Sequence, residues 1–481
     1  MKHLALIILA CLAGVQVRAS DFWITDFGAV PDGETVCTKA IQAAIDESSA
    51  SLGRVIIPSG DFVTGTLFLK SNTTLVLEKN ARLLGSGSLS DYPHTEVDFR
   101  FWGDTWVYHS LIIAHHAENI TIEGQGIIDG RGHAFPVTTR KKPDRYRNRP
   151  YLLWVAACKN VTVRDVELRN SAMWMQSYIR CENLRIDGIK VFNHCNKNND
   201  LMDIDGCRNV VITRVTGDAD DDGITFKSTS DRISENITVS DCMISSHCNA
   251  LKFGTETTAG FRNVTISNCI VRKSSVTAAP TGYPEGISGL SLEIVDGGIL
   301  ENVAISNLVI DGPKVPVFIR LGNRARKHYP EAPEPPVGTI RNVVLTNIVA
   351  RASSPVGCSM VGIPDGKIDG VTLSDSRFIF PGGISDDLSK KVVDELPDHY
   401  PESLMFGTLP AYGLYVRHMN NVTIRGVSFE ILTPDSRPAI VCDDVTGGEI
   451  TGISLVGATK RNGIKTFRST GLHVDQVRRN F

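Results

Sequence analysis

Charge is scarce in this 481-residue chain: Asp, Glu, Lys and Arg together make up 21%, and they nearly cancel to a net −3. That balance gives no electrostatic reason to expect nucleic acid as a partner. Aromatic residues are few as well, at 7%, so the core implied by a 42% hydrophobic content must be built largely from aliphatic side chains. No stretch reaches the roughly 18 consecutive apolar residues of a membrane-spanning helix, which excludes a membrane span of that kind. Cysteine is present but not arranged as a disulfide framework. Cys158, Cys181 and Cys207 each precede a recurrent Asn by two residues, and Cys242 and Cys269 each follow one by six. Such phasing predicts stacked ladders of free, buried thiols.

The first residues read MKHLALIILACLAGVQVRAS, with Lys2 and His3, an apolar run from Leu4 to Val15, and the small residues Val17 and Ala19 before a cleavage point. This is a secretory signal peptide over residues 1–19, implying export to the periplasm or beyond the cell. Lipid attachment at Cys11 is the less favoured alternative, because Leu9 fits such a signal poorly.

Beyond it, one sentence repeats: ENITIEGQGIIDG from Glu118, KNVTVRDVELRNS from Lys159, ENLRIDGIKVFN from Glu182, RNVVITRVTGDA from Arg208, ENITVSDCMISS from Glu235 and RNVTISNCIVRKS from Arg262. Variants follow at Glu301, Arg341 and Asn420. Each unit alternates apolar and polar positions, as in Val210/Ile212 and Ile237/Val239, and the period is one coil of a solenoid. The sequence therefore predicts an all-β fold, a right-handed parallel β-helix, as one domain over residues 20–481. Asn119, Asn160, Asn236, Asn263 and Asn421 also match N-x-[ST], but their constant phase favours a left-handed turn with stacked amides over glycosylation. Ala40, Ile41, Ala44 and Ile45 mark one face of a short N-terminal helix that would cap the open end of the core.

Three segments interrupt the repeat, at about 92–150, 324–336 and 382–413, the last with a possible short helix around Ser389 to Leu396. Long insertions in a solenoid tend to gather over the binding face.

Two acidic clusters lie one coil apart: Asp200 with Asp203 and Asp205, then Asp220, Asp221 and Asp222. Stacked carboxylates repel, so at least one should hold its proton above the ordinary range. A protonated acid beside an ionised base is what hydrolysis of a glycosidic bond requires. A solvated turn or a Ca²⁺ site is the bland reading of the same residues.

Over residues 24 to 350 the chain resembles the polygalacturonase family, glycoside hydrolase family 28, through Asn198-Asn199-Asp200, through Asp220-Asp221-Asp222 with Gly223-Ile224 and Lys227-Ser228, and through NSAMWMQSYIRCENLRI. The resemblance implies hydrolysis of galacturonic-acid linkages in a pectic polymer or oligomer, with no cofactor and no metal. It implies Asp221 as general acid and Asp200 and Asp222 as holders of the attacking water, with inversion. Two positions depart from the pattern: Asn249 stands where the family has His, with His247 two residues too early, and Arg320-Leu321-Gly322 stands where it has Arg-Ile-Lys.

Asn249, Lys252, Arg320 and Arg324 are the candidate substrate contacts, with Arg326 beside them, since cations suit a uronate carboxylate. Trp102, Trp106 and Trp174 are candidate sugar platforms, and Tyr412 and Tyr415 candidate cleft residues. No spacing assembles a metal-ligand set around His194 or His115-His116. The altered His and Lys positions and the three insertions favour an unusual galacturonide linkage or exo action. A Ca²⁺-dependent lyase and a catalytically inactive carbohydrate-binding β-helix are the competing readings. Nothing in the sequence specifies an oligomeric state.

Overall fold

The computed structural model describes residues 20–480 apart from 102, 103, 108, 140, 142, 143, 460 and 461. The expected signal peptide, Cys11, Trp102 and the side chain of Trp106 therefore lie outside the described residues. Short parallel strands wind into a right-handed β-helix in which each strand pairs with its equivalent one coil on. Gln176–Ile179, Glu182–Asp187 and Lys190–Asn193 form one coil, and Met202–Asp205, Arg208–Thr213 and Thr216–Ala219 form the next. Alternation turns Val210 and Ile212 inward and leaves Val211 half in solvent. One continuous apolar core runs from Ile24 to Ala458.

The recurrent asparagines form the turn ladder expected of them. Asn183, Asn209, Asn236 and Asn263 have φ of 56°, 57°, 59° and 56°, and each amide Nδ2 donates to the Oδ1 of the Asn one coil before it, at 3.0 to 3.2 Å. Asn tolerates this left-handed geometry and satisfies its amide at the same time. Replacing Asn209 with Ala removes two ladder bonds and leaves a strained turn. We expect a loss of about 1–3 kcal/mol in urea unfolding, with the site chemistry intact.

The ten described cysteines are free thiols, all buried except the half-buried Cys195. Helix Thr38–Ser51 closes the N-terminal end by burying Ile41, Ala44 and Ile45. No helix among the described residues is long and apolar enough to cross a membrane.

The insertions differ from expectation in three ways. The first is split: an antiparallel hairpin, Thr95–Phe101 with Asp104–Val107, and a segment over 130–150 are separated by a regular coil from Ser110 to Asp129. The third has no helix at Ser389 to Leu396. Two buried arginines hold this stretch by its main-chain oxygens instead: Arg417 donates to Val393 O, and Arg320 to Glu395 O and Leu396 O. A fourth insertion, residues 273–287, was not anticipated. The interval from Asn263 to Asn302, 39 residues against 27 for the coil before, and the run PTGYPEG within it are the signals that mark it.

Candidate active site

Strand register stacks the candidate residues in columns on one outward sheet face. Asp203, Thr225, Lys252 and Ser291 occupy equivalent positions on four successive coils. Asn249 sits opposite Ser288, while Leu201 N donates to Asp222 O and Gly223 N to Asn249 O, so Asp200, Asp222, Asn249 and Ser288 form a second column. Gly223 permits this approach: a Cβ there would meet Ala250 O at 2.3 Å.

These columns floor a cavity of about 310 Å³. Its floor includes Asp200, Asp221, Asp222, Lys227, Asn249 and Lys252, and its walls come from Tyr146, Arg324, Arg326, Tyr400 and Glu402 on the insertions. Trp174 lines it too, stacked on Tyr146 with ring centroids 5.8 Å apart.

The three carboxylates are held differently. Asp222 is buried and accepts from Asn249 N at 3.2 Å, Asn249 Nδ2 at 2.7 Å and Lys252 Nζ at 2.8 Å. Three donors fit the ionised form. Asp221 is half-buried and takes Asn198 Nδ2 at 3.2 Å; burial and then the charge of Asp222 push it up to about 6. Asp200 is buried with Oδ1 lacking a protein partner. Burial, then Asp203 and Asp221, lift it well above the usual carboxylate range.

Cations alternate with these acids. Burial opposes charge on Lys252, yet Asp222 and its neighbours outweigh that and hold the ammonium above the ordinary lysine range. Lys252 Nζ also donates to the Tyr400 hydroxyl at 3.3 Å. Lys227 lies 3.4 Å from Asp203 and 3.3 Å from Glu256, and burial lifts Asp203 to about 7 despite that ammonium. Arg324 donates to Thr255 O at 2.8 Å and Asp296 Oδ1 at 2.9 Å, and Arg326 to Glu256 Oε1 at 2.8 Å.

The structure thus brings together Asp200, Asp221, Asp222, Asn249, Lys252 and Arg324. Arg320 is elsewhere. It stacks on Glu293 rather than Lys252, is 1% exposed, and spends its guanidinium on the carbonyls of Gly362, Glu395 and Leu396. It moors the third insertion instead of facing the cavity. Tyr412 is core, and Tyr415 packs in a separate cluster beside Phe318 and Val441. Sequence reasoning placed Asp203 in the acidic cluster and Lys227 in the family motif without giving either a role at the site, and it did not select Glu256, Tyr146, Tyr400 or Glu402. Lys227 and Glu256 carried a signal, the outward parity they share with neighbouring sheet positions, whereas Tyr400 and Glu402 are placed by a loop with no repeat phase.

His194 and His247, distant in sequence, meet Asp220 with one ligand-type atom of each within 4.8 Å of the others, so spacing alone concealed this buried cluster. His247 Nδ1 faces Asp220 Oδ1 at 3.0 Å and its Nε2 faces Val276 O at 2.9 Å. Among the described residues the remaining groups of this kind are the surface cluster Asp98, His115 and His116, and Asp221, Asp222 and Cys248 in the cavity itself.

A parallel β-helix with clustered carboxylates and cations under loop walls is the architecture of a polysaccharide-acting enzyme, in which one acid donates a proton and another activates water. The model of glycosyl hydrolases family 28 matches residues 48–385, and the chain belongs to that family. It is a glycoside hydrolase, which sets that reading above the lyase and the binding-only alternatives. It is 24% identical over 439 residues to a probable polygalacturonase of Vitis vinifera, covering 84% of this chain and 86% of the relative. It is also 24% identical over 446 residues to an exo-poly-alpha-D-galacturonosidase of Dickeya chrysanthemi, covering 80% and 71%. A hyperthermoactive exopolygalacturonase from Thermotoga maritima shares the fold with a TM-score of 0.63 at 23% identity, covering 85% of this chain and 93% of that one.

Proposed function

We propose that this protein is an exported exo-acting hydrolase that releases galacturonic-acid residues from a pectic chain by a single inverting displacement. The observation that carries the mechanism is the unequal holding of the stacked carboxylates. Asp222, charged and fixed by three donors, takes a proton from the attacking water. Asp200 supplies the second contact to that water through its unpartnered Oδ1, and Asp221 protonates the leaving oxygen. Lys252 and Arg324 face the sugar carboxylate, Asn249 holds Asp222 and reaches the substrate beside it, and Trp174 offers an aromatic floor.

Exo action is supported by the walls: three insertions and the 273–287 segment contribute lining residues, leaving a pocket near the small end of the usual ligand-site range. A chain end fits such a pocket better than a chain interior. Export rests on the leader read in the sequence.

The test is incubation with galacturonan oligomers of defined length. We expect shortening from one end, a product of inverted anomeric configuration by proton NMR, no absorbance from an unsaturated uronate, and no effect of EDTA on turnover. Internal cleavage would overturn the exo assignment, and an unsaturated product would overturn hydrolysis.

The held proton also sets a pH limit. Asp221 works in its protonated form, which is available below a value of about 6 and lost above it. We expect kcat/KM to fall about tenfold per pH unit on that alkaline side.

A further inference from the structure

Behind the carboxylates lies a buried polar layer that the proposed mechanism does not use. Residues 273–287 cross it as a strap. Ser274 Oγ donates to Asp218 Oδ1 at 2.7 Å, and Ser275 donates to Asp218 Oδ2 through N at 2.9 Å and Oγ at 2.7 Å. Thr281 Oγ1 donates to Asp220 Oδ2 at 2.6 Å. Thr281 and Ile287 of the same strap line the cavity. His247 is wholly buried at the centre of this layer. Both of its ring nitrogens face acceptors, the Asp220 carboxylate and the Val276 carbonyl, and two acceptors require two N–H groups.

We propose that His247 is a positioning residue: as a doubly protonated imidazolium it joins Asp220 to the strap, and so fixes the turn that carries Asp221 and Asp222 beneath the substrate. The inference rests on the roles given above to Asp221 and Asp222. The geometry explains why a buried Asp is tolerated immediately before the proposed acid, since an unpaired buried carboxylate there would be costly. The titratable groups facing the ring are Asp220, Asp218 and His194, whose ring centroid is 4.7 Å away; His194 Nε2 is itself engaged by Asp218 Oδ1 at 2.8 Å. Burial acts against the imidazolium, and the Asp220 and Val276 acceptors outweigh it, holding His247 above its ordinary value. The pair is therefore complete at low pH and is lost as pH rises through that elevated value.

The direct measurement is ¹⁵N-edited NMR of the histidine side chains at pH 6–7. We expect protons on both ring nitrogens of His247, in the wild type and equally in Asp221→Asn, so this readout stands whatever the role of Asp221. The kinetic measurement compares Asp220→Asn, His247→Gln and the double variant. Each single change should lower kcat about 10–100-fold, the scale of a small misplacement of a reacting group, with KM changed about threefold or less. The alkaline limb of the kcat/KM profile should move down in Asp220→Asn, which removes a negative charge beside Asp221, and up in His247→Gln, which removes a positive one. The double variant should recover part of the lost thermal stability, because neither buried charge is left alone. A single ring proton on His247, limbs that do not move while kcat losses follow the fall in Tm, or one equivalent of Zn²⁺ bound through His194 and His247 would each overturn the proposal. Should Asp221→Asn retain full turnover with the His247 protons in place, the roles of the carboxylates fail and the imidazolium does not.

Discussion

Asp221→Asn should reduce kcat on galacturonan oligomers by about 10²–10⁴-fold, the usual contribution of a positioned general acid. The substitution keeps the shape and the Asn198 contact, so KM and Tm should stay close to wild type. The alkaline limb near pH 6 should disappear with it, because the group responsible no longer titrates. Substrates with a good leaving group provide the sharper check: they need no protonation of the leaving oxygen, so the variant should regain most of its rate on an activated aryl galacturonide. A variant with wild-type kcat on the natural linkage would remove Asp221 from the mechanism.

Lys252→Met should have the second largest effect, through stability as well as turnover. Lys252 is 2% exposed and pairs with Asp222 at 2.8 Å. Removing one partner of a buried pair leaves the other charge stranded, at a cost of about 3–5 kcal/mol in denaturant unfolding. Turnover should fall about 10²–10³-fold, since the base loses one of the three donors that hold it and the uronate loses a counter-charge. The combination Asp222→Asn with Lys252→Met should regain most of the stability while remaining inactive. That pattern would separate the electrostatic role from simple damage to packing; a double variant as unstable as Lys252→Met alone would refute it.

Most of the scaffold is legible in the sequence because a solenoid repeats one solution. The phase of Asn183, Asn209, Asn236 and Asn263 gives the coil length, the coil length gives the register, and the register places Asp200 beside Asp222. The parity of Lys252 against Leu251 and Phe253 gives its outward direction in the same way. What repeats cannot supply is the course of the insertions. Tyr400 and Glu402 approach the cavity from a loop whose path is set by long-range bonds to Arg320 and Arg417, and no local pattern encodes those. Arg320 illustrates the limit directly. Its sequence neighbourhood resembles a substrate-binding motif, yet the register puts it beyond Glu293 and its guanidinium serves the loop. His247 shows the reverse case, displaced by two residues from the family's His, and still joined to the turn of Asp221 by a fold that brings Asp220 to its ring.

The mooring of the third insertion has a further consequence. Arg320 and Arg417 grip it at 393–396, by the main-chain oxygens of Val393, Glu395 and Leu396 and by the Glu395 carboxylate, which Arg417 also holds. The tip bearing Tyr400 and Glu402 is therefore free to change its side chains while its footing stays put. Altering which sugar the pocket accepts would call for rewriting only that tip, and a transplanted loop of equal length that keeps Glu395 should seat on the same two guanidinium groups.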